Sequence, residues 1–214
     1  MRNYALRQNI ALGRRLLSIS AWLEAEGLAR RYYYKLDDRG SLYLFNTKHM
    51  NVATALRDKA FLRQFFGSLR PKDPPKFALE LGSSFPLVSL CGKEESFLEV
   101  LDDEGAVLCF TDLHEEDLLY GGELKEPFLP SNLLVGETGR LYHPILAHKH
   151  LGKKKGEKGN RPFVGLLHPH LADRLLKDSL RPIEAGGFDY NFRGEIHRIE
   201  LIKPHKGRSR VGSL

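Results

Sequence analysis

The stretch "RRYYYKLDDRGSLYLF", residues 30–45, decides the fold class. Tyr32, Tyr34 and Leu36 alternate with Tyr33 and Lys35, a period of two that sends successive side chains to opposite faces of a strand. Asp37-Asp38-Arg39-Gly40 supplies turn chemistry, with a glycine free to adopt a left-handed conformation. Leu42 and Leu44 then resume the alternation. This spacing predicts a β-hairpin, and hairpins build antiparallel sheet.

Outward from the hairpin, "NVATALRD" (51–58) reads as a third strand. Asp58 is a helix N-cap, and "KAFLRQFFGSLR" (59–70) is predicted to be helical. Its apolar stripe of Phe61, Leu62, Phe65, Phe66 and Leu69 is core material rather than a groove. Pro71, Pro74 and Pro75 end the helix and mark a loop. "KFALEL" (76–81), "FPLVSL" (85–90), "SFLEVL" (96–101) and "AVLCFTDL" (106–113) are strand-like, the last two joined by the tight-turn sequence Asp102-Asp103-Glu104-Gly105. "LLYGGELKEPF" (118–128) predicts a hairpin with Gly121-Gly122 at its tip. "LYHPI" (141–145) follows a Gly139 turn, and "RPFVGLLHP" (161–169) suggests a further strand. "HLADRLLKDSL" (170–180) is a short helix with Leu171, Leu175 and Leu176 inward. "FDYNFRGEIHRIELI" (188–202) is a last hairpin turning at Asn191-Phe192-Arg193-Gly194.

The expected fold is α+β: mainly antiparallel β-sheet, two short internal helices and an amphipathic N-terminal helix. No alternating βα pattern or internal repeat is present, which argues against a doubly wound nucleotide fold. The predicted organisation is a basic N-terminal helix over 1–29, one domain over 30–202 and a basic tail over 203–214.

Charge is unevenly distributed. The net charge of the 214 residues is +6, yet residues 94–137 hold thirteen acids against Lys125 alone. Both ends are basic, which predicts separate acidic and basic surfaces and an anionic partner such as nucleic acid or lipid. The first 27 residues, "MRNYALRQNIALGRRLLSISAWLEAEG", contain Arg2, Arg7, Arg14 and Arg15 and no acid before Glu24. Leu6, Ile10, Leu16, Leu17 and Leu23 recur at helical spacing. An Arg-rich, acid-free amphipathic start resembles a mitochondrial transit peptide; the alternative is an ordinary helix that packs on the body or a partner. No apolar run approaches the roughly 20 residues of a membrane helix.

The chemistry-bearing motifs are weak. There are two cysteines, Cys91 and Cys109, and no CxxC pair, which excludes a disulfide scaffold or a four-cysteine zinc site. In "GRLYHPI" (139–145), Tyr142 and His143 fall on opposite faces of a strand, so they are not a cooperating pair; Tyr142 is expected to be buried. Pro144 confines the segment to an edge or strand end. Arg140 has acids such as Glu94 available as partners. Cys91 with His143 as its base is the one candidate nucleophilic arrangement. His148-x-His150 and His168-x-His170 would each put two imidazoles on one strand face, but zinc needs three or four ligands. No P-loop, dinucleotide fingerprint, GxSxG or HExxH motif occurs, and no cofactor is implied. "LGKKKGEKGN" (151–160) and the tail "KPHKGRSRVGSL" (203–214) suit phosphate contact without sequence readout. The residues expected to meet RNA or a partner are Arg2, Arg7, Arg14, Arg15, Lys149, Lys153, Lys154, Lys155, Lys158, Arg161, Lys206, Arg208 and Arg210.

Four stretches in order, "RYYYKLDDRGSLYL", "DKAFLRQFFGSLRP", "FPLVSLCGKEESFLEVLDD" and "GRLYHP", resemble the uncharacterised protein family (UPF) 0598. The chain departs from that pattern at Leu87 and Lys93. The resemblance implies a mitochondrial protein and no established activity. The leading expectation is a non-enzymatic matrix component of a large assembly such as the mitochondrial ribosome, with basic extensions on RNA. The alternatives are an accessory or assembly subunit of a respiratory-chain complex, with the N-terminal helix on a membrane surface, and a matrix enzyme using Cys91 and His143.

Overall fold

The computed structural model describes residues 30–71, 85–92, 94–152, 163–177, 180–183 and 187–202. The predicted N-terminal helix, the "KFALEL" strand and the basic tail lie outside the described residues.

The opening hairpin forms as expected. β1 (Arg30–Leu36) pairs antiparallel with β2 (Leu42–Leu44) in the register Leu36↔Leu42. Asp37 makes the turn: its Oδ1 accepts from Arg39 N at 3.0 Å and Ser41 N at 2.7 Å, and Gly40 takes φ 79°. "NVATALRD" is not a strand. Asn51 Oδ1 accepts from Ala53 N at 2.9 Å and Thr54 N at 3.2 Å. This local turn competes with ladder formation, and Leu56 keeps a single bridge to Leu42.

Helix α1 (Lys59–Gly67) begins at Asp58, whose Oδ1 accepts from Phe61 N at 2.7 Å. It ends earlier than the apolar stripe suggested. Leu69 and Arg70 leave it to form β3 (Leu69–Pro71), which pairs with β4 (Leu87–Cys91). Leu69 still reaches the core, from a strand instead of a helix. β5 (Glu94–Leu98) completes a five-stranded sheet in the order β2-β1-β5-β4-β3. The first strand thus lies inside the sheet and runs parallel to β5.

The turn Asp102–Gly105 forms, with Gly105 N donating to Asp102 O at 3.1 Å. It does not return the chain beside β5. β6 (Ala106–Phe110) enters a second sheet instead. β7 (Asp112–His114), β8 (Asp117–Tyr120) and β9 (Leu124–Pro127) make a three-stranded meander with the predicted turn at Gly121-Gly122. A 3-10 turn at Pro130–Asn132 leads to β10 (Leu134–Val135) and β11 (Leu141–Pro144). β12 (Val164–Leu167), helix α2 (Pro169–Leu176), β13 (Leu180–Pro182), β14 (Phe188–Phe192) and β15 (Glu195–Leu201) follow. The second sheet runs β13-β14-β15-β10-β11-β12-β6. Most neighbours are antiparallel, as the hairpins predicted, but β1 with β5, β10 with β15 and β6 with β12 are parallel.

One cluster of buried apolar side chains runs between the sheets. Phe65 and Phe66 of α1 share it with Leu87 and Leu98 of the first sheet, and with Phe110, Leu141 and Tyr190 of the second. Within the second sheet, Gly165 leaves room for the side chains of the neighbouring β6: a Cβ there would lie 2.5 Å from Leu108 Cδ1 and Phe110 Cε2. Among the described residues no helix is long and apolar enough to cross a membrane.

Candidate functional site

The "GRLYHPI" segment is the hub of the second sheet. Gly139 takes φ 78° and donates to Gly136 O at 3.0 Å, turning the chain into β11. β11 is hydrogen-bonded on both sides, to β10 and β12. Pro144 therefore marks a strand end in the sheet interior, where its missing N–H costs no central ladder bond.

Tyr142 and His143 are both fully buried, on opposite faces. Tyr142 packs with Ala106, Val164, Leu166 and Ile202, and its hydroxyl donates to Asp102 Oδ2 at 2.8 Å. His143 lies against Phe110 and Phe128, with ring centroids 6.1 and 5.8 Å away. Its Nε2 accepts from Leu129 N at 3.1 Å, which assigns the proton to Nδ1. Nδ1 has no partner. Burial pushes the imidazole pKa down to about 4, so the ring is neutral at pH 7.

The Cys91–His143 arrangement does not form. Cys91 is exposed at the end of β4, where its Sγ accepts from Gln64 Nε2 at 2.7 Å. His143 is sealed in the core of the other sheet. A nucleophile and its base must be within hydrogen-bond reach, and these two are held in separate surroundings. Cys109 is buried, and burial drives its thiol pKa far up.

Neither His pair sits on a strand. His148 is in a turn: its Nδ1 accepts from His150 N at 3.2 Å and Leu151 N at 3.1 Å, while Nε2 donates to Phe66 O at 2.7 Å. His168 is the N-cap of α2 and accepts from His170 N at 3.1 Å. Backbone bonds occupy both ring nitrogens of His148 and Nδ1 of His168. No group of three or more His, Cys, Asp or Glu able to hold an ion occurs among the described residues.

Sequence reading missed Glu126. Its place on β9, two residues after Leu124 on the same side of the strand, was the available signal. The carboxylate is fully buried; Oε1 accepts from Leu146 N at 2.6 Å and Ala147 N at 2.7 Å, and Oε2 has no partner. Burial raises its pKa, and the backbone donors of Ala147, Leu146 and His148 pull it back. Glu126 and His148 together brace the turn from which the basic segment departs. Lys149 is exposed on that turn. The other twelve residues expected to contact RNA or a partner lie outside the described residues.

Charge segregation is incomplete. Arg30 and Arg31, from the basic N-terminal group, reach Glu94 at 3.8 Å and Glu95 at 2.9 Å in the acidic segment. Arg140 pairs with Asp38 at 3.6 Å, not with Glu94.

That pair forms one wall of a cleft of about 410 Å³ beside the tip of the β1–β2 hairpin. Asp173 of α2 and Lys177, which caps its C-terminus, also line the cleft, with Leu141, Leu167 and Leu176 as apolar lining. The positions were visible in the sequence, but nothing in their spacing, from Asp38 to Lys177, signalled convergence.

These features define a three-sheet α+β protein whose buried imidazoles and carboxylate brace loops, and whose charged side chains meet at a surface cleft. Residues 24–159 match the domain of unknown function DUF4505, and the chain belongs to that family. No solved structure matches.

Proposed function

We propose that this protein is a non-catalytic component of a large mitochondrial assembly that carries basic segments to RNA, with the mitochondrial ribosome as the first assembly to test. The observation behind this reading is the mooring of the basic segment 153–162. On its N-terminal side Leu151 is buried, and a Cβ on Gly152 would lie 2.3 Å from Leu146 O. His148 and Glu126 hold the same turn. On its C-terminal side Phe163 O accepts from Ile145 N at 2.8 Å, just before β12. Both ends of the segment are therefore anchored beside β11. A fixed base lowers the ordering cost of presenting Lys153, Lys154, Lys155, Lys158 and Arg161 to a polyanion. Lysines supply charge without base readout, as phosphate contact requires.

The mitochondrial placement rests on the Arg-rich, acid-free start and on the family resemblance of the quoted motifs. The test is RNA affinity of the full chain as a function of salt. Reversing Lys153, Lys154 and Lys155 to Glu should weaken binding and reduce the log–log salt slope by about 2, three phosphate contacts at ~0.7 each for single-stranded RNA. Absence of RNA binding at low salt, or binding indifferent to the reversal, would refute the reading. Recovery of the protein with membranes in place of nuclease-sensitive particles would shift it to the respiratory-complex alternative.

A further inference from the structure

We propose that the cleft between the β1–β2 hairpin tip and α2 binds a free α-amino acid with an apolar side chain. Its charged wall is an Asp38–Arg140 pair whose closest approach is 3.6 Å. A charge-assisted hydrogen bond ordinarily spans about 2.7–2.9 Å, so the two groups are adjacent without being joined. The guanidinium has five N–H donors in a planar fork suited to a carboxylate. Asp38 beside it offers a full anionic acceptor. Adjacent opposite charges on the protein complement adjacent opposite charges on the ligand, and an α-amino acid carries its ammonium and carboxylate on one carbon. The two side chains are about half exposed, at 45% for Arg140 and 48% for Asp38, so both are reachable from solvent.

The rest of the cleft selects the side chain. Leu141 and Leu167, which share one face of the second sheet, supply buried apolar lining, and Ala172 and Leu176 of α2 extend it. Gly139, which also lines the cleft, presents open space where a Cβ would stand. A volume of about 410 Å³ falls in the range of small-ligand pockets, and an apolar lining with a few convergent polar groups is their usual composition. Asp173 and Lys177, one helical turn apart in the same lining, make a simple anion or cation a poorer match than a neutral zwitterion.

Ligand-observed NMR and calorimetry on the full chain test this with L-leucine as the probe. The expected result is saturable binding of leucine and much weaker binding of N-acetyl-leucine, leucinamide and glycine, which lack the ammonium, the carboxylate and the apolar side chain in turn. Arg140→Gln and Asp38→Asn should each weaken leucine binding about tenfold, the loss of one charged hydrogen bond. Both side chains are at the surface, so melting temperatures of the variants check that the fold persists. Ala172→Phe, which fills the apolar part of the cleft, should abolish binding. The proposal is overturned if leucine does not saturate the protein, if N-acetyl-leucine binds equally well, or if folded Arg140→Gln and Asp38→Asn proteins bind leucine unchanged.

Discussion

The hydroxyl of Tyr142 donates to Asp102 Oδ2 across 2.8 Å, tying the middle of β11 to the turn that carries the chain from the first sheet into the second. Burial, with Asp102 as an anionic neighbour, pushes the phenol pKa far above its ordinary value. Tyr142 is therefore a neutral donor throughout the working pH range. Tyr142→Phe keeps the ring and loses the bond, at an expected cost of about 1 kcal/mol. Tyr142→Ala also opens a cavity and should cost about 3 kcal/mol or more. Urea unfolding at pH 7 measures both, and equal losses for the two variants would contradict the packing role.

His143 should make the protein acid-sensitive. The folded imidazole has its pKa lowered to about 4, against 6.5 for the unfolded chain. Between these values the unfolded state binds a proton that the native state excludes, so stability falls as pH drops from 6.5 toward 4. The steepest contribution is about 1.4 kcal/mol per pH unit, and the total about 3 kcal/mol. His143→Gln retains an acceptor for Leu129 N and cannot titrate. Its unfolding midpoint should depend less on pH over this window; parallel curves for the two proteins would assign the acid sensitivity elsewhere.

Glu126 acts with the opposite sign. Burial raises its folded pKa above the unfolded value, so its ionisation removes stability as pH rises from about 4.5 through the raised pKa. Glu126→Gln keeps an oxygen for Leu146 N and Ala147 N and should flatten that part of the profile. Glu126→Ala leaves both amides without their acceptor and should cost about 2 kcal/mol or more. Hydrogen exchange at Leu146 and Ala147 should accelerate in Glu126→Ala and stay slow in Glu126→Gln. Unchanged exchange in the alanine variant would show that the carboxylate does not hold the turn.

The two cysteines should differ sharply in reactivity. Cys91 is exposed, whereas Cys109 is buried with its pKa far above that of a free thiol. Iodoacetamide at pH 8 should modify Cys91 alone in the native protein and both cysteines in urea. Mass spectrometry reads the two sites separately, and native labelling of Cys109 at a comparable rate would mean that the β6 region opens readily.

Local chemistry was legible wherever one short stretch carried all of it. The Asp37 turn, the Asp58 cap, the Gly121-Gly122 tip and the Arg193-Gly194 hairpin each need only neighbours in sequence, and each formed. The reading failed where two local codes competed. Asn51 turned a segment whose apolar residues suggested a strand, and Leu69 left a helical stripe to pair with Ser89. The candidate residues followed the same division. Tyr142 was recognisable as a core residue from its period of two. Glu126 was not recognisable as a loop brace, because its acceptors' donors are twenty residues away in sequence.

The sequence by itself determined the α+β class, most of the turns and the alternation that puts Tyr142 and His143 on opposite faces. These follow from backbone sterics, capping and side-chain period, which act within a few residues. Only the tertiary structure decided which strands are neighbours: β1 beside β5, β12 beside β6, and β5 separated from β6 despite the turn that joins them. Strand partnership depends on which apolar faces can be covered together, a property of the whole chain. The same packing closed His143 away from Cys91 and brought Asp38 to Arg140, a juxtaposition that no spacing along the chain encodes.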